Sequence, residues 1–375
     1  MDEAGKVLIV GSFAPSLISF RGALIAAMAK AGHSVVAAAP DIDPATADGL
    51  RELGAEPREI VLSNSSLDPF AFVRSLGAMR RLVREARPDV MISYAIKPVI
   101  LGALAGRAER VGRIVSVITG VGYAFTAGRE LKRLLSRTAA TFLYRIALRK
   151  SDVILFLNPD DERLFLRLRL IAAGPAVHIL DGEGVDLTQY PPAPLPARTS
   201  FLMIARLLRD KGIREFAAAA RRLKAAHPEI PITLVGDFDP SPDSLTREEL
   251  DELIRCGVEY KGFLADVRPA IAACSVYVLP SYREGTPRSV LEAMAMGRAI
   301  VTTDAPGCRE TVIDGENGLL VPPRDADALY RAMLRFVDEP DLTAAMGRAS
   351  ESIAREKYEV GRINAKLLRY AGLSC

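Results

Sequence analysis

A chain of 375 residues, 49% hydrophobic and 25% charged, is globular in composition and long enough for two domains. Its net charge of +3 conceals a block over 70–150 with 16 Lys/Arg against 4 Asp/Glu, which leaves the remainder at −9 and points to an anionic partner for one half only. An aromatic content of 6% with no tryptophan argues against nucleic acid, and no stretch reaches the roughly 18 apolar residues of a membrane span.

In chain order, the acidic Met1–Lys6 is too short for a secretory leader and runs into a strand, KVLIVGSF. A helix over RGALIAAMAKAGH and the strand SVVAAAP follow. Next come a helix over Phe70–Ala86, the strand DVMISYA, a helix around Val99–Ala108 and the strand RIVSVITG. Leu131–Lys150 reads as a long helix, DVILFLN as a strand, and Pro159–Leu168 as a helix capped by Asn158. Near-continuous apolar strands alternating with helices build a parallel sheet covered on both faces.

The proline-rich PPAPLPA (191–197) reads as a connector, and after it the pattern restarts. FLMIARLL, ITLVGD, VEYKGF, VYVLPS, AIVTTD and NGLLVPP are strands, with helices between them. The expected fold is therefore α/β, two doubly wound domains facing across a cleft. Residues 1–190 form the first and 191–355 the second, with 356–375 a C-terminal helix returning to the first. Ligands of such sheets bind beyond the carboxyl ends of the strands. Gly11, Tyr94–Lys97, Gly120–Gly122, Arg206, Gly236, Gly262–Phe263 and Glu284 all stand there.

The segment REGTPRSVLEAMAMGRAI (283–300) carries the densest signal. Thr286 can cap a helix and Pro287 suits its first position; Gly297 ends it, and Ala299–Thr303 is the next strand. The N–H groups of such a helix start suit an anion. Glu284 lies just outside that start and Glu292 about two turns inside. Arg206 and Lys211, in ARLLRDKGI, are expected to face it. Two cations and a helix start could stabilise a departing diphosphate without a metal. Glu292 could then accept the vicinal hydroxyls of a ribose, and Glu284 those of a sugar beyond the phosphates. The plainer alternatives are solvated carboxylates that favour a helix start, and a lysine that closes a turn.

Competing chemistries find less support. No strand is followed by GxGxxG, and no Walker A sequence is present. Three DxD triplets (Asp41/Asp43, Asp237/Asp239, Asp325/Asp327) are close to what 23 aspartates produce by chance. Three scattered histidines suggest no metal site, and four cysteines without CxxC spacing read as reduced thiols of a cytoplasmic protein.

ARLLRDKGI, LVGD, YKGF and the pair Glu284-x7-Glu292 in EGTPRSVLEAMAMGRAIVTTDAPGCRETVIDGENGLLVPP resemble the retaining family 4 glycosyltransferases of the GT-B fold. SYAIKPVILGALAG, VITGVGYAFT and LNPDDE resemble one branch, the bacterial enzymes that extend polyprenyl-diphosphate-linked glycans. The resemblance implies a UDP-sugar donor, an N-acetylhexosamine such as GalNAc in this branch. It also implies retention of configuration, no metal or other cofactor, and an acceptor saccharide on polyprenyl diphosphate. Such an enzyme works in the cytoplasm, peripheral on the inner face of the cell membrane.

By position, the resemblance gives Arg206 and Lys211 the diphosphate, Glu292 the ribose and Glu284 the donor sugar. Gly285, Thr286, Pro287, Arg288 and Ser289 would line the sugar and phosphates, with Phe263 and Leu264 beside the base and Gly236 also on the donor side. Gly11, Arg21, Lys97 and Tyr123 are the acceptor-side candidates. The chain departs from the family pattern at Glu183, within GEGVD. It also has Tyr94 and Lys97 where many members place an N-domain histidine.

Residues 129–150 hold seven basic residues and one acidic, with Leu131, Leu134, Leu135, Phe142 and Ile146 at helical spacing. This helix either packs its apolar face on the core or lies on an anionic membrane surface; a lipid-linked acceptor favours the second. Two other classes stay open, a UDP-sugar hydrolase or epimerase of GT-B fold and a non-catalytic nucleotide-sugar-binding protein.

Overall fold

The central strands form where four or five apolar residues run together between turns, and they are buried on both faces, as parallel strands under two helical layers are. The computed structural model describes residues 5–62, 69–120, 141–171, 173–239 and 243–374. It divides into two compact units, one of 1–181 with 361–375 and one of 182–360.

The first unit holds seven parallel strands: β1 (Lys6–Val10), β2 (Ser34–Ala39), β3 (Ala55–Glu59), β4 (Val90–Tyr94), β5 (Arg113–Ile118), β6 (Val153–Phe156) and β7 (Ala176–Ile179). Their order is 3-2-1-4-5-6-7. Val7 of β1 pairs with Val35 on one side and Val90 on the other. The strand's alternation feeds two cores: Leu8 and Val10 enter one, Val7 and Ile9 the other. The helices are α1 (Ala14–Ser19), α2 (Gly22–Lys30), α3 (Pro44–Glu52), α4 (Pro69–Ala86), α5 (Ile96–Ala108), α6 (141–148) and α7 (Pro159–Arg167). Asn158 caps α7, its Oδ1 accepting the Asp161 N–H at 2.8 Å, as expected.

The second unit repeats the winding with β8 (Phe201–Ile204), β9 (Ile232–Val235), β10 (Glu259–Tyr260), β11 (Val276–Leu279), β12 (Ala299–Thr303) and β13 (Gly318–Val321), in the order 10-9-8-11-12-13. Its helices are α8 (Ile213–Ala226), α9 (Arg247–Arg255), α10 (Arg268–Ala272), α11 (Arg288–Ala295), α12 (Ala326–Asp338) and α13 (Pro340–Lys357). The last helix, α14 (Val360–Ala371), buries Leu367, Leu368 and Ala371 in the core of the first unit. There Lys366 pairs with Asp181 at 2.5 Å, and Tyr370 stacks on His178 with ring centres 3.9 Å apart.

The division falls at Gly182, ahead of the proline-rich connector that the sequence suggested. The reason is Arg298. This fully buried guanidinium donates to Ala193 O at 2.9 Å and Pro194 O at 3.2 Å, which binds the connector to the second unit. Both edge strands of the first sheet, β3 (AEPRE) and β7 (AVHI), lie outside the sequence expectation, as does α3. Leu131–Lys150 is described only from 141. There Tyr144, Ala147 and Leu148 are buried, while Phe142, assigned to the apolar face, is 60% exposed. Among the described residues, no helix is long and apolar enough to cross a membrane.

Candidate active site

In each sheet the winding direction reverses between two neighbouring strands, β1 and β4 in one and β8 and β11 in the other. At such a switch point the connections leave to opposite faces of the sheet, and doubly wound folds bind their ligands at the carboxyl ends of these strands. In the second unit the β8 exit carries Arg206 and, through a short 3₁₀ turn (Arg209–Lys211), Lys211. The β11 exit carries Glu284 and leads into α11.

The two exits are sewn together. Asp210 O accepts the Tyr282 N–H at 2.8 Å and the Ser281 hydroxyl at 3.2 Å. Gly212 passes so close to Pro280 O that a Cβ would lie 2.0 Å from it, at a φ of 73° that disfavours any side chain. Gly236, beyond β9, is equally constrained: a Cβ there would sit 1.8 Å from Ala205 O. Its N–H donates to Gly262 O at 2.9 Å, which places the 262–264 turn beside it. Phe263 on that turn is 72% exposed, and Leu264 packs on the core. A bare aromatic face at a strand-end crevice is a surface on which a planar base can stack.

Lys211 Nζ donates to Glu284 Oε1 at 2.6 Å, with both side chains only 15% exposed. Arg206 Nη1 donates to Asp239 Oδ2 at 2.6 Å, so one of the DxD triplets serves as the partner of the exposed arginine. The two expected cations therefore both reach the crevice, each beside a carboxylate. The sequence reading set the Asp237/Asp239 triplet aside as chance, and the Asp210 turn escaped it. DxD spacing was the only available signal for the first.

The start of α11 corrects a local expectation. Pro287, with φ −73° and ψ 108°, is the cap residue rather than the first helical one, and no side chain caps the helix. The Thr286 hydroxyl donates instead to Gly285 O at 2.9 Å. Ser289 is fixed by the Tyr277 hydroxyl at 2.7 Å, which also lies 3.0 Å from Ile204 O and so ties α11 to the end of β8. The far end follows expectation, with Gly297 after the last turn and β12 beginning at Ala299.

Glu292 is 6% exposed. Arg288 Nε donates to its Oε1 at 2.8 Å, and Tyr190 stands near enough to favour the charged form of the same carboxyl. Burial pushes the Glu292 carboxyl above the usual carboxylate range, against the pull of Arg288 and Tyr190. Tyr190 is itself pushed up to about 12 by burial and by the Glu292 charge. No sequence signal marked Tyr190, which is 102 positions from Glu292.

In the first unit Gly11 lies just beyond β1, and its N–H donates to Ala38 O at 2.9 Å. Arg21, buried at the entrance to α2, lays its guanidinium 3.8 Å from the ring centre of Tyr94 at the end of β4. Lys97, one residue into α5, is partly buried, and desolvation lowers its ammonium below the usual lysine range. Ala95 between them is held at φ 68° and ψ 166°, a conformation costing on the order of 1–3 kcal/mol in a residue with a Cβ. Tyr123 lies outside the described residues. Among those described, no group of three or more His, Cys, Asp or Glu is placed to hold a metal ion.

Residues 198–339 match the family described as glycosyl transferases group 1, and residues 20–182 match the glycosyl transferase 4-like domain. The chain is 27% identical over 307 residues to the N,N'-diacetylbacillosaminyl-diphospho-undecaprenol alpha-1,3-N-acetylgalactosaminyltransferase of Campylobacter jejuni, covering 78% of this chain and 79% of that one. It is 25% identical over 281 residues to the UDP-Gal:alpha-D-GlcNAc-diphosphoundecaprenol alpha-1,3-galactosyltransferase of Escherichia coli, covering 71% of each. Among solved structures, Anabaena HepE in complex with UDP superposes with a TM-score of 0.78 over 98% of this chain and 99% of that one, at 18% identity, a likeness of fold.

Proposed function

The chain belongs to the glycosyltransferases of GT-B fold that join a family-4-like N-terminal domain to a group 1 C-terminal domain, and on that footing we propose that it moves a sugar from a UDP-sugar to a saccharide carried on polyprenyl diphosphate. The observation carrying this reading is the meeting of Arg206, Lys211 and Glu284 at the β8/β11 switch point. When the bond between the sugar carbon and the β-phosphate oxygen breaks, UDP leaves with the electron pair. Lys211 and Arg206 are within reach of that developing charge, and they need only exchange one anionic partner for another. Glu284, released from Lys211, is then available to the transferred sugar.

Glu292 takes the ribose, the Phe263 face takes the uracil, and Gly285–Ser289 run along the phosphates. The branch relatives name undecaprenol-linked acceptors, and one of them names GalNAc as the transferred sugar. We assign GalNAc, or another N-acetylhexosamine, as the donor sugar, with retention of configuration and no divalent metal. The acceptor side is Gly11, Arg21 and Lys97, with Tyr123. Two cations and a strained backbone at one strand-end crevice support anion recognition there. The enzyme would work at the cytoplasmic face of the membrane, drawn to anionic lipid by its basic block.

A screen of UDP-sugars against a synthetic polyprenyl-diphosphate-linked monosaccharide tests the proposal, with the anomeric configuration of the product read by NMR. Transfer of one sugar with retention is the expected result. UDP-sugar turned over at full rate without acceptor would instead identify a hydrolase or epimerase. Binding of UDP with no turnover on any donor would identify a binding protein.

A further inference from the structure

β8 and β11 flank the switch point of the second sheet, and their ladder is short. It ends at the Leu202–Tyr277 pair, whereas β8 stays in register with β9 as far as Ile204 and Val235. On the β9 side the end of β8 is held further, the Ala205 N–H donating to Val235 O at 3.0 Å. On the β11 side a side chain takes over from the ladder. The Tyr277 hydroxyl accepts the Ile204 N–H at 3.3 Å and lies 3.0 Å from Ile204 O and 2.7 Å from Ser289 Oγ. Ser289 Oγ is itself 3.4 Å from Ile204 O. Two hydroxyl protons close this triangle, one going to Ile204 O and the other joining the two hydroxyls. Tyr277 is fully buried, and a hydroxyl at that depth is costly unless it is bonded, as this one is.

We propose that Tyr277 is a positioning residue for the diphosphate site, its hydroxyl fixing the first turn of α11 relative to Arg206. The inference rests on the reading that Arg206 and the start of α11 receive the donor diphosphate. Ser289 is the second residue of α11, and Arg206 follows Ile204 by two residues. One hydroxyl therefore joins the strand end that carries the cation to the helix whose free N–H groups suit the anion. A phosphate held from both sides needs both sets of donors at about 2.7–3.1 Å at once, and such bonds weaken steeply when one set is displaced. Phenylalanine at 277 fills the same space but leaves Ser289 with only its longer contact to Ile204 O.

The test titrates UDP and UMP by calorimetry into the full-length wild type, Tyr277→Phe, Ser289→Ala, the double variant of these two, and Arg206→Ala, with melting curves to verify folding. UMP lacks the β-phosphate, so the ratio of the two affinities reads contact with that group, whereas a general loosening of the fold weakens both nucleotides alike. The wild type should prefer UDP by about tenfold or more, the least that one hydrogen bond to a charged group contributes. Tyr277→Phe and Ser289→Ala should each lower that preference by about threefold or more. The double variant should go no further than the larger single effect, because both substitutions open the same bridge. A wild-type ratio near one, or one that Arg206→Ala leaves intact, would overturn the diphosphate reading and this proposal with it. A preference that Arg206→Ala compresses but Tyr277→Phe leaves intact would overturn the role of Tyr277 alone, as would additive effects in the double variant. Should Tyr277→Phe not fold, Ser289→Ala decides, and an unchanged preference there overturns the bridge.

Discussion

The Lys211–Glu284 pair makes the sharpest demand on this reading, because it couples fold stability to nucleotide affinity in opposite directions. The perturbation is Glu284→Gln. At 2.6 Å and an effective dielectric of about 20, the gross attraction between the two charges is about 6 kcal/mol, most of it offset by removing both ions from water. Breaking a fully buried pair costs about 3–5 kcal/mol; 15% exposure of each side chain and the amide oxygen left to Gln bring this to about 1–2 kcal/mol. For a unit spanning 182–360 that is a fall in Tm of about 2–8 °C.

UDP should reverse the loss. Its diphosphate supplies the anion that Lys211 lacks in the variant, whereas in the wild type it must compete with Glu284. Scanning calorimetry with and without saturating UDP should therefore show a larger nucleotide-induced rise in Tm for the variant. UDP affinity by titration should be equal to or better than wild type, while kcat falls because the transferred sugar has lost its carboxylate. A tenfold loss of UDP affinity in Glu284→Gln, with Glu292→Gln binding UDP normally, would refute the reasoning and turn the donor end for end.

Arg206→Ala should lower kcat by about a hundredfold or more with the fold intact, the usual cost of one lost donor to a developing anion, measured by steady-state transfer. Lowering pH should remove UDP affinity through Glu292. Its carboxyl is raised in the fold by burial, so it costs stability while ionised and that cost is relieved as pH falls through the raised value. Binding runs the other way, full above that value and lost below it, and Glu292→Gln should abolish this step in a titration series that includes UDP's own protonation as the common background. Transfer should persist in excess EDTA; complete loss restored by Mn²⁺ or Mg²⁺ would defeat the metal-free assignment. Reversal of Lys132, Arg133 and Arg137 to Glu should weaken sedimentation with anionic liposomes at low salt, at about 1 kcal/mol per basic residue, and equal sedimentation would defeat the membrane assignment of this basic stretch.

The sequence alone determined the parts whose cause is local. β1, β4, β8, β11 and β12 are central strands covered on both faces, so burial wrote itself into apolar runs such as VLIV and VYVL. The Asn158 cap and the Gly297 stop are likewise settled within one helical turn. At the edges of the first sheet the same logic fails. β3 and β7 each have one neighbour, tolerate Pro57 or exposed side chains, and carry too little apolar pattern to read. Only tertiary structure decided who meets whom in the crevice. Lys211 finds Glu284 across 73 positions, and Arg206 finds Asp239 across 33. Those pairings depend on strand order, and strand order follows from how two helical layers cover one sheet, which no short stretch of sequence contains.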